Sequence, residues 1–188
     1  MKNLLATIAL IGTITTSAFC QQTVEGVTMP ANLTVKSQKL VLNGAGLREK
    51  LFLDLYVGAL YLTEKNTDAN AIINDDKAMA IKMEIVSGLI SSEKMISAID
   101  EGMEKSTKGN TAQFSKEIEE FKAAFAEEIV EGNQYEIFYI PGSGITVTKG
   151  GKEVKSIPCG LEFKKAVFGI WLCDEPADED LKEGMLNG

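Results

Sequence analysis

The pattern of apolar and polar residues from Leu42 to Thr63, LNGAGLREKLFLDLYVGALYLT, predicts two long strands joined by a tight turn. In the second strand, only Asp54 and Gly58 interrupt the apolar run from Leu51 to Leu62. The usual alternation is lost, which is typical of a strand that is covered on both faces. The polar triplet Arg48-Glu49-Lys50 separates the two strands, so we expect the turn there.

The rest of the chain changes between strand and helix patterns. Residues Ala78 to Val86 place Met and Ile alternately with Ala, Lys and Glu, as a one-sided strand does. Two amphipathic helices should follow, with Ser91 and Thr111 as N-caps, and we expect them to form an antiparallel pair. Further strands are predicted at 24–28, 33–35, 39–47, 134–140, 145–149 and 152–157, and further helices at 67–74, 160–172 and 178–186.

This order of strands, helices, strands and helices predicts an antiparallel α+β domain with helices layered on one face of a large sheet. No repeat, linker or low-complexity tract divides the chain after residue 20. We therefore expect one domain over residues 21–188, which is long enough to bury a sizeable core.

The first 20 residues have the three-part pattern of a secretory signal peptide. Lys2 precedes an apolar stretch from Leu4 to Ile14, which is too short for a comfortable membrane span, and small residues follow. We expect cleavage after Cys20 and a periplasmic or secreted protein. A lipoprotein anchor at Cys20 is the alternative, but the bulky Phe19 disfavours it. No later segment is predicted to span a membrane.

Composition narrows the chemistry further. The chain has no histidine, which excludes Ser-His-Asp and Cys-His nucleophile pairs and removes the usual zinc ligand. A net charge of −8 makes nucleic acid a poor partner. The acidic cluster at 174–180 lacks the spacing of a calcium loop. We therefore expect neither a metal nor a cofactor.

Two side chains are candidates for a functional site. Arg48 lies where the apolar core begins; it is either an ordinary turn charge, which the spacing alone favours, or the cation that holds an anionic ligand in an apolar cleft. Tyr56 and Tyr61 both lie on the second strand. Because they are five positions apart, they point to opposite faces, and at most one of them can share a cavity with Arg48.

Two segments together resemble the chalcone isomerase-like family. The first, LNGAGLREKLFLDLYVGALYL, has a glycine-rich strand, an arginine, and a strand that ends in Tyr61-Leu62. The second, FKKAVFGIWLCDEP, resembles the family's closing helix, with Cys173 at a place that is often glycine. The resemblance implies an open-faced β-sandwich, in which a large antiparallel sheet is backed by helices and a cleft lies between the layers.

The resemblance also implies two possible uses of that cleft. In the plant enzymes of the family, an arginine stabilises a phenoxide while a threonine and a tyrosine assist closure of a chalcone to a flavanone. Non-catalytic members bind fatty acids, and the same arginine grips the carboxylate. Arg48 matches the family arginine, and Tyr56 stands nearest to the threonine. The family's catalytic tyrosine should lie at the start of the first long helix, where this chain has no tyrosine and Glu93 to Met95 are the nearest counterparts. Asp100 is the nearest match to the family's asparagine one helical step later.

We therefore expect an exported, non-catalytic protein that binds a fatty acid or similar apolar carboxylate, with Arg48 and Tyr56 as its ligand-binding residues. One alternative is a chalcone isomerase-type intramolecular lyase that acts on an enone or polyphenol, with the same two residues as catalytic candidates. Another is a structural envelope protein without a ligand.

Overall fold

The computed structural model describes residues 21–188, so the predicted signal peptide and Cys20 lie outside the described residues. Strands β1 to β9 span Gln22–Val24, Val27–Met29, Asn32–Val35, Gln38–Lys50, Leu53–Leu62, Met79–Ile85, Gln134–Ile140, Gly144–Lys149 and Lys152–Ile157. Helices α1 to α5 span Ala69–Asn74, Ser92–Ser106, Ser115–Ala123, Leu161–Leu172 and Glu179–Leu186, and a 3-10 turn at Thr111–Phe114 precedes α3.

Strands β3 to β9 form a seven-stranded antiparallel sheet in which sequence neighbours are also spatial neighbours. The larger core lies between one face of this sheet and the helices, and it includes Tyr56 and Leu60. The smaller core lies on the other face, where the β1–β2 hairpin packs, and it includes Val57 and Tyr61. The predicted α+β architecture is confirmed, and Tyr56 and Tyr61 point to opposite faces, as their spacing indicated.

The turn between β4 and β5 lies further along the chain than predicted. β4 continues through the triplet Arg48-Glu49-Lys50, and Leu51 and Phe52 form the turn, with φ of 54° and 63°. The prediction was wrong because two-residue turns with positive φ favour Asn and Gly, whereas here both positions hold large apolar residues. Arg48 is consequently a strand residue, not a turn charge, and is only 8% exposed.

The two central helices lie antiparallel, as predicted, and touch through side chains: Ser92 at the start of α2 donates to the carbonyl of Phe125 just beyond α3, and Asp100 of α2 pairs with Lys122 of α3 at 3.0 Å. Neither helix has its main packing partner in the other, however. α2 packs mainly on α4, and α3 lies against β9.

Small residues permit the close approach of α2 and α4: a Cβ added at Gly102 would lie 2.8 Å from Ile170, and one added at Gly169 would lie 2.7 Å from Ser106. The amphipathic pattern correctly identified an apolar face on α2, but such a pattern does not specify which element covers that face.

Glycines on β4 and β5 let α5 lie directly on the sheet. A Cβ added at Gly46 would lie 3.1 Å from the Cα of Leu181, and one added at Gly58 would lie 2.8 Å from the Cε of Met185. At Gly44, an added Cβ would collide with the backbone oxygen of Gly184. The glycine-rich segment before Arg48 is thus explained by close packing of the C-terminal helix.

We predict that Gly44→Ala destabilises the fold by roughly 1–3 kcal/mol, because α5 must move away from the sheet to admit the methyl group. Gly88→Ala is a suitable control, since an added Cβ there meets no atom within 4 Å, and it should change stability by less than about 0.5 kcal/mol. Urea unfolding followed by circular dichroism measures both. Equal stability of the two variants would contradict the close-packing explanation.

Candidate functional site

A cleft of about 320 Å³ opens between the β4–β5 hairpin and α2. Arg48 and Tyr56, which are direct partners across β4 and β5, form its inner end. The walls are mainly apolar and come from the hairpin, from the loop before α2 and from α2 itself: Leu51, Leu53, Leu55, Leu89, Ile90 and Met95. The structure thus brings both predicted site residues together in one cavity.

Arg48 is the only arginine in the chain, and among residues 21–188 it is a buried cation that has no anionic partner. Within residues 21–188 it forms no ion pair, and its buried Nε has no hydrogen-bond acceptor. The guanidinium carbon lies 5.5 Å from the centroid of the Tyr56 ring, which is a cation–π contact. Such a contact is worth only about 0.5–2 kcal/mol, whereas removing a charge from water costs several kcal/mol. Arg48 is therefore suited to receive an anion.

The hydroxyl of Tyr56 is fixed by a hydrogen bond from α4. Nε1 of Trp171 donates to the Tyr56 hydroxyl oxygen at 2.8 Å, and both side chains are buried. Since this bond uses a lone pair of the hydroxyl, the Tyr56 proton stays free for a further acceptor. The FGIWL segment indicates the family, but that resemblance does not reveal this role of Trp171. The expectation that a buried indole N–H needs an acceptor could have found it.

The carboxylate on the rim of the cleft is already paired with lysines. Glu101 lies 2.9 Å from Lys105 and 3.9 Å from Lys50. Its pKa is lowered mainly by the hydrogen bond from Lys105, then by the charges of Lys105, Lys50 and, least, Arg48. Glu101 therefore contributes to the field around Arg48 without forming an ion pair with it.

The face of α2 that lines the cleft agrees only in part with the one that the family resemblance indicated. Asp100 lies outside the cleft, where its carboxylate pairs with Lys122 at 3.0 Å. Met95 and Ala98 instead line the space around Arg48. The resemblance indicated Met95 within the range 93–95 but not Ala98, because the rotation of a helix against a cleft depends on its packing partner, here α4.

Beyond Arg48 and Tyr56, the interior between sheet and helices is almost filled. The inner pocket next to them holds about 10 Å³ and is enclosed by side chains that include Met83, Phe121 and Phe125. A single water molecule needs about 10–15 Å³. A ligand whose anionic group meets Arg48 must therefore direct its apolar part outward, along the larger cleft.

Two further observations concern metal sites and membrane spans in residues 21–188. They contain no group of three or more side chains placed to hold a metal ion. None of their helices has both the length and the apolar character needed to cross a membrane.

The fold and the site define a class of protein: an antiparallel α+β sandwich with a buried cation at the inner end of an apolar cleft. The sequence profile described as chalcone isomerase-like matches residues 21–187, and the chain belongs to that family. The predicted family is thereby confirmed.

Comparison with solved structures supports the same fold. The structure is similar to that of a fatty-acid binding protein from Arabidopsis thaliana, with a TM-score of 0.67 and 18% sequence identity. The alignment covers 86% of this chain and 92% of the Arabidopsis chain. At this identity the likeness shows the shared fold. No curated protein matches the sequence significantly.

We predict that Tyr56 and Trp171 are energetically coupled. Tyr56→Phe leaves the buried indole N–H unpaired and should cost roughly 1–3 kcal/mol, and a double-mutant cycle with Trp171→Phe should give a coupling of at least about 0.5 kcal/mol. Tyr61→Phe provides the control cycle, since its hydroxyl bonds to the Pro30 carbonyl on the other face. Additive effects in both cycles, measured by urea unfolding, would argue against the hydrogen bond.

Proposed function

We propose that this protein binds a fatty acid or similar apolar carboxylate in the cleft, without catalysis. The observation that carries the proposal is the buried guanidinium of Arg48, which has no anionic partner within residues 21–188. A carboxylate placed there would accept charge-assisted N–H bonds from Arg48 and an O–H bond from Tyr56. These bonds would offset the cost of burying both charges.

The shape and lining of the cleft support an aliphatic ligand. Its volume of about 320 Å³ lies within the usual range for small-molecule sites, and leucines dominate the path from Arg48 to the mouth. The structural similarity to a plant fatty-acid binding protein is consistent with this ligand class. Because the interior beyond Arg48 is filled, the acyl chain would lie in the outer cleft with its end near Leu53 and Leu89.

The cleft gives less support to an isomerase. Enolate charge that develops during ring closure needs hydrogen-bond donors, yet the part of α2 beside Arg48 presents Met95 and Ala98. Ser97 and Tyr56 are the hydroxyl groups that line the cleft. A spectrophotometric assay of chalcone loss is expected to show no rate above the spontaneous one, and a clear acceleration abolished in Tyr56→Phe would favour the enzyme.

The proposal includes export of the protein, on the basis of the signal-peptide pattern of residues 1–20. We expect the protein recovered from its native envelope or medium to begin at Gln21. Intact-mass and N-terminal peptide measurements test this. A chain that keeps residues 1–20, or one that carries a lipid on Cys20, would overturn this part of the proposal.

We predict that Arg48→Met weakens fatty-acid binding by at least about tenfold, because a hydrogen bond to a charged group contributes about 1.5–3 kcal/mol. Native mass spectrometry of lipid-free refolded protein, titrated with decanoate, gives the affinities. Lys116→Met is the matched control, since it also removes one positive charge, but from an exposed position on α3. Absence of uptake by the wild type, or equal uptake by Arg48→Met, would refute the proposal.

The same variant should be at least as stable as the wild type when no ligand is present. Replacing an unpaired buried charge with an apolar side chain of similar length is often neutral or stabilising. Thermal unfolding of the ligand-free proteins measures this effect. A clear loss of stability in Arg48→Met would instead indicate that Arg48 serves the fold.

A further inference from the structure

Exposed apolar side chains are concentrated at the mouth of the cleft. Six large apolar residues within 21–188 are exposed, and four of them lie here. Leu51 is 82% exposed, Phe52 97%, Leu53 44% and Leu89 52%. The other two, Val130 and Val154, are half-exposed valines elsewhere. We call these four mouth residues the apolar tip: Leu51, Phe52 and Leu53 lie at the end of the β4–β5 hairpin, and Leu89 lies beside the cleft in the loop before α2.

Turn chemistry does not account for Leu51 and Phe52. Both have positive φ, which residues other than glycine, asparagine and aspartate rarely adopt. The β3–β4 turn has the same two-residue geometry, with positive φ at Lys36 and Ser37, and there both side chains are polar. An Asn-Gly pair would suit either turn better. The large apolar residues at the β4–β5 turn therefore serve something other than the turn.

The shape and charges of the apolar tip suit a lipid bilayer. The tip projects outward at the end of a hairpin, so it can insert into a layer of acyl chains. Lys50 and Lys94 lie on the rim of the cleft, where Lys50 is 3.9 Å from Glu101 and Lys94 donates to the Leu89 carbonyl at 2.8 Å. Both long side chains can exchange these surface contacts for lipid headgroups. Glu49 and Asp54, a cross-strand pair just behind the turn, balance these two charges. Insertion should consequently depend on apolar burial more than on anionic lipids.

We infer that the apolar tip docks the protein on a bilayer surface, with the mouth of the cleft turned toward the lipid. The docking rests on the exposed tip alone. The purpose of the docking rests on the proposed function. A fatty acid whose carboxylate meets Arg48 would have its chain end at Leu53 and Leu89, next to the membrane. The fatty acid could then pass between bilayer and cleft without crossing water.

Flotation with phosphatidylcholine liposomes tests this inference on residues 21–188. The wild type should float with the vesicles, and Leu51→Asn/Phe52→Gly should lower its partition coefficient at least about tenfold, since two large side chains no longer enter the lipid. This variant has the preferred sequence for its turn, so it should fold well, and circular dichroism checks that. Lys36→Asn/Ser37→Gly makes the same exchange in the β3–β4 turn and should float like the wild type.

Arg48→Met separates this inference from the proposed function. Flotation of that variant together with loss of decanoate uptake would support both. Flotation without uptake by the wild type would leave the docking in place and remove the fatty-acid proposal. Failure of the wild type to float, or equal flotation of Leu51→Asn/Phe52→Gly, would overturn the docking. Self-association of the wild type through the tip, seen by analytical ultracentrifugation without flotation, would overturn it in favour of a second copy of the chain.

Discussion

A guanidinium buried among apolar side chains needs an interaction partner, and within residues 21–188 Arg48 forms a cation–π contact with Tyr56 but no ion pair, and its buried Nε has no acceptor. Much of the surrounding structure holds that pair in place. Trp171 fixes the Tyr56 hydroxyl from α4, and α4 is held close to α2 through Gly102 and Gly169. The positions of the cation, the phenol and the cleft wall are therefore set by one connected packing arrangement.

The C-terminal helix completes this arrangement on the same face of the sheet. α5 lies on the glycines of β4 and β5, and Asn43 donates a hydrogen bond to the carbonyl of Met185 at 2.8 Å. Because α5 covers the glycine-rich part of the two strands, the open cleft is confined to the part that carries Arg48 and Tyr56. The burial of the Arg48 charge costs folding free energy, and Arg48 lies in the open part of the two strands, where an anionic ligand can offset that cost.

The sequence predicted the sheet and most strand and helix ranges because apolar periodicity directly reports which faces are buried. It also placed Tyr56 on the face opposite Tyr61, since side chains alternate along a strand. It could not locate the β4–β5 turn, because Leu51 and Phe52 violate the residue preferences on which turn prediction depends.

Two contacts were not predicted, the packing of α2 on α4 and the Trp171–Tyr56 hydrogen bond, because a single sequence does not report which distant residues meet. The pairing of α2 with α4 depends on the fit of Gly102 against Ile170. The Trp171–Tyr56 hydrogen bond joins residues 115 positions apart. Both contacts form only when the complete fold is assembled, whereas Arg48 was identifiable because the family resemblance rests on local motifs around it.

A crystal structure of the protein in complex with decanoate tests the central claim most directly. The account predicts that the carboxylate accepts hydrogen bonds from Arg48 and from the Tyr56 hydroxyl, with the alkyl chain directed toward Leu53 and Leu89. A carboxylate bound instead by Lys50 and Lys94 at the rim, with Arg48 still lacking an anionic partner, would contradict it.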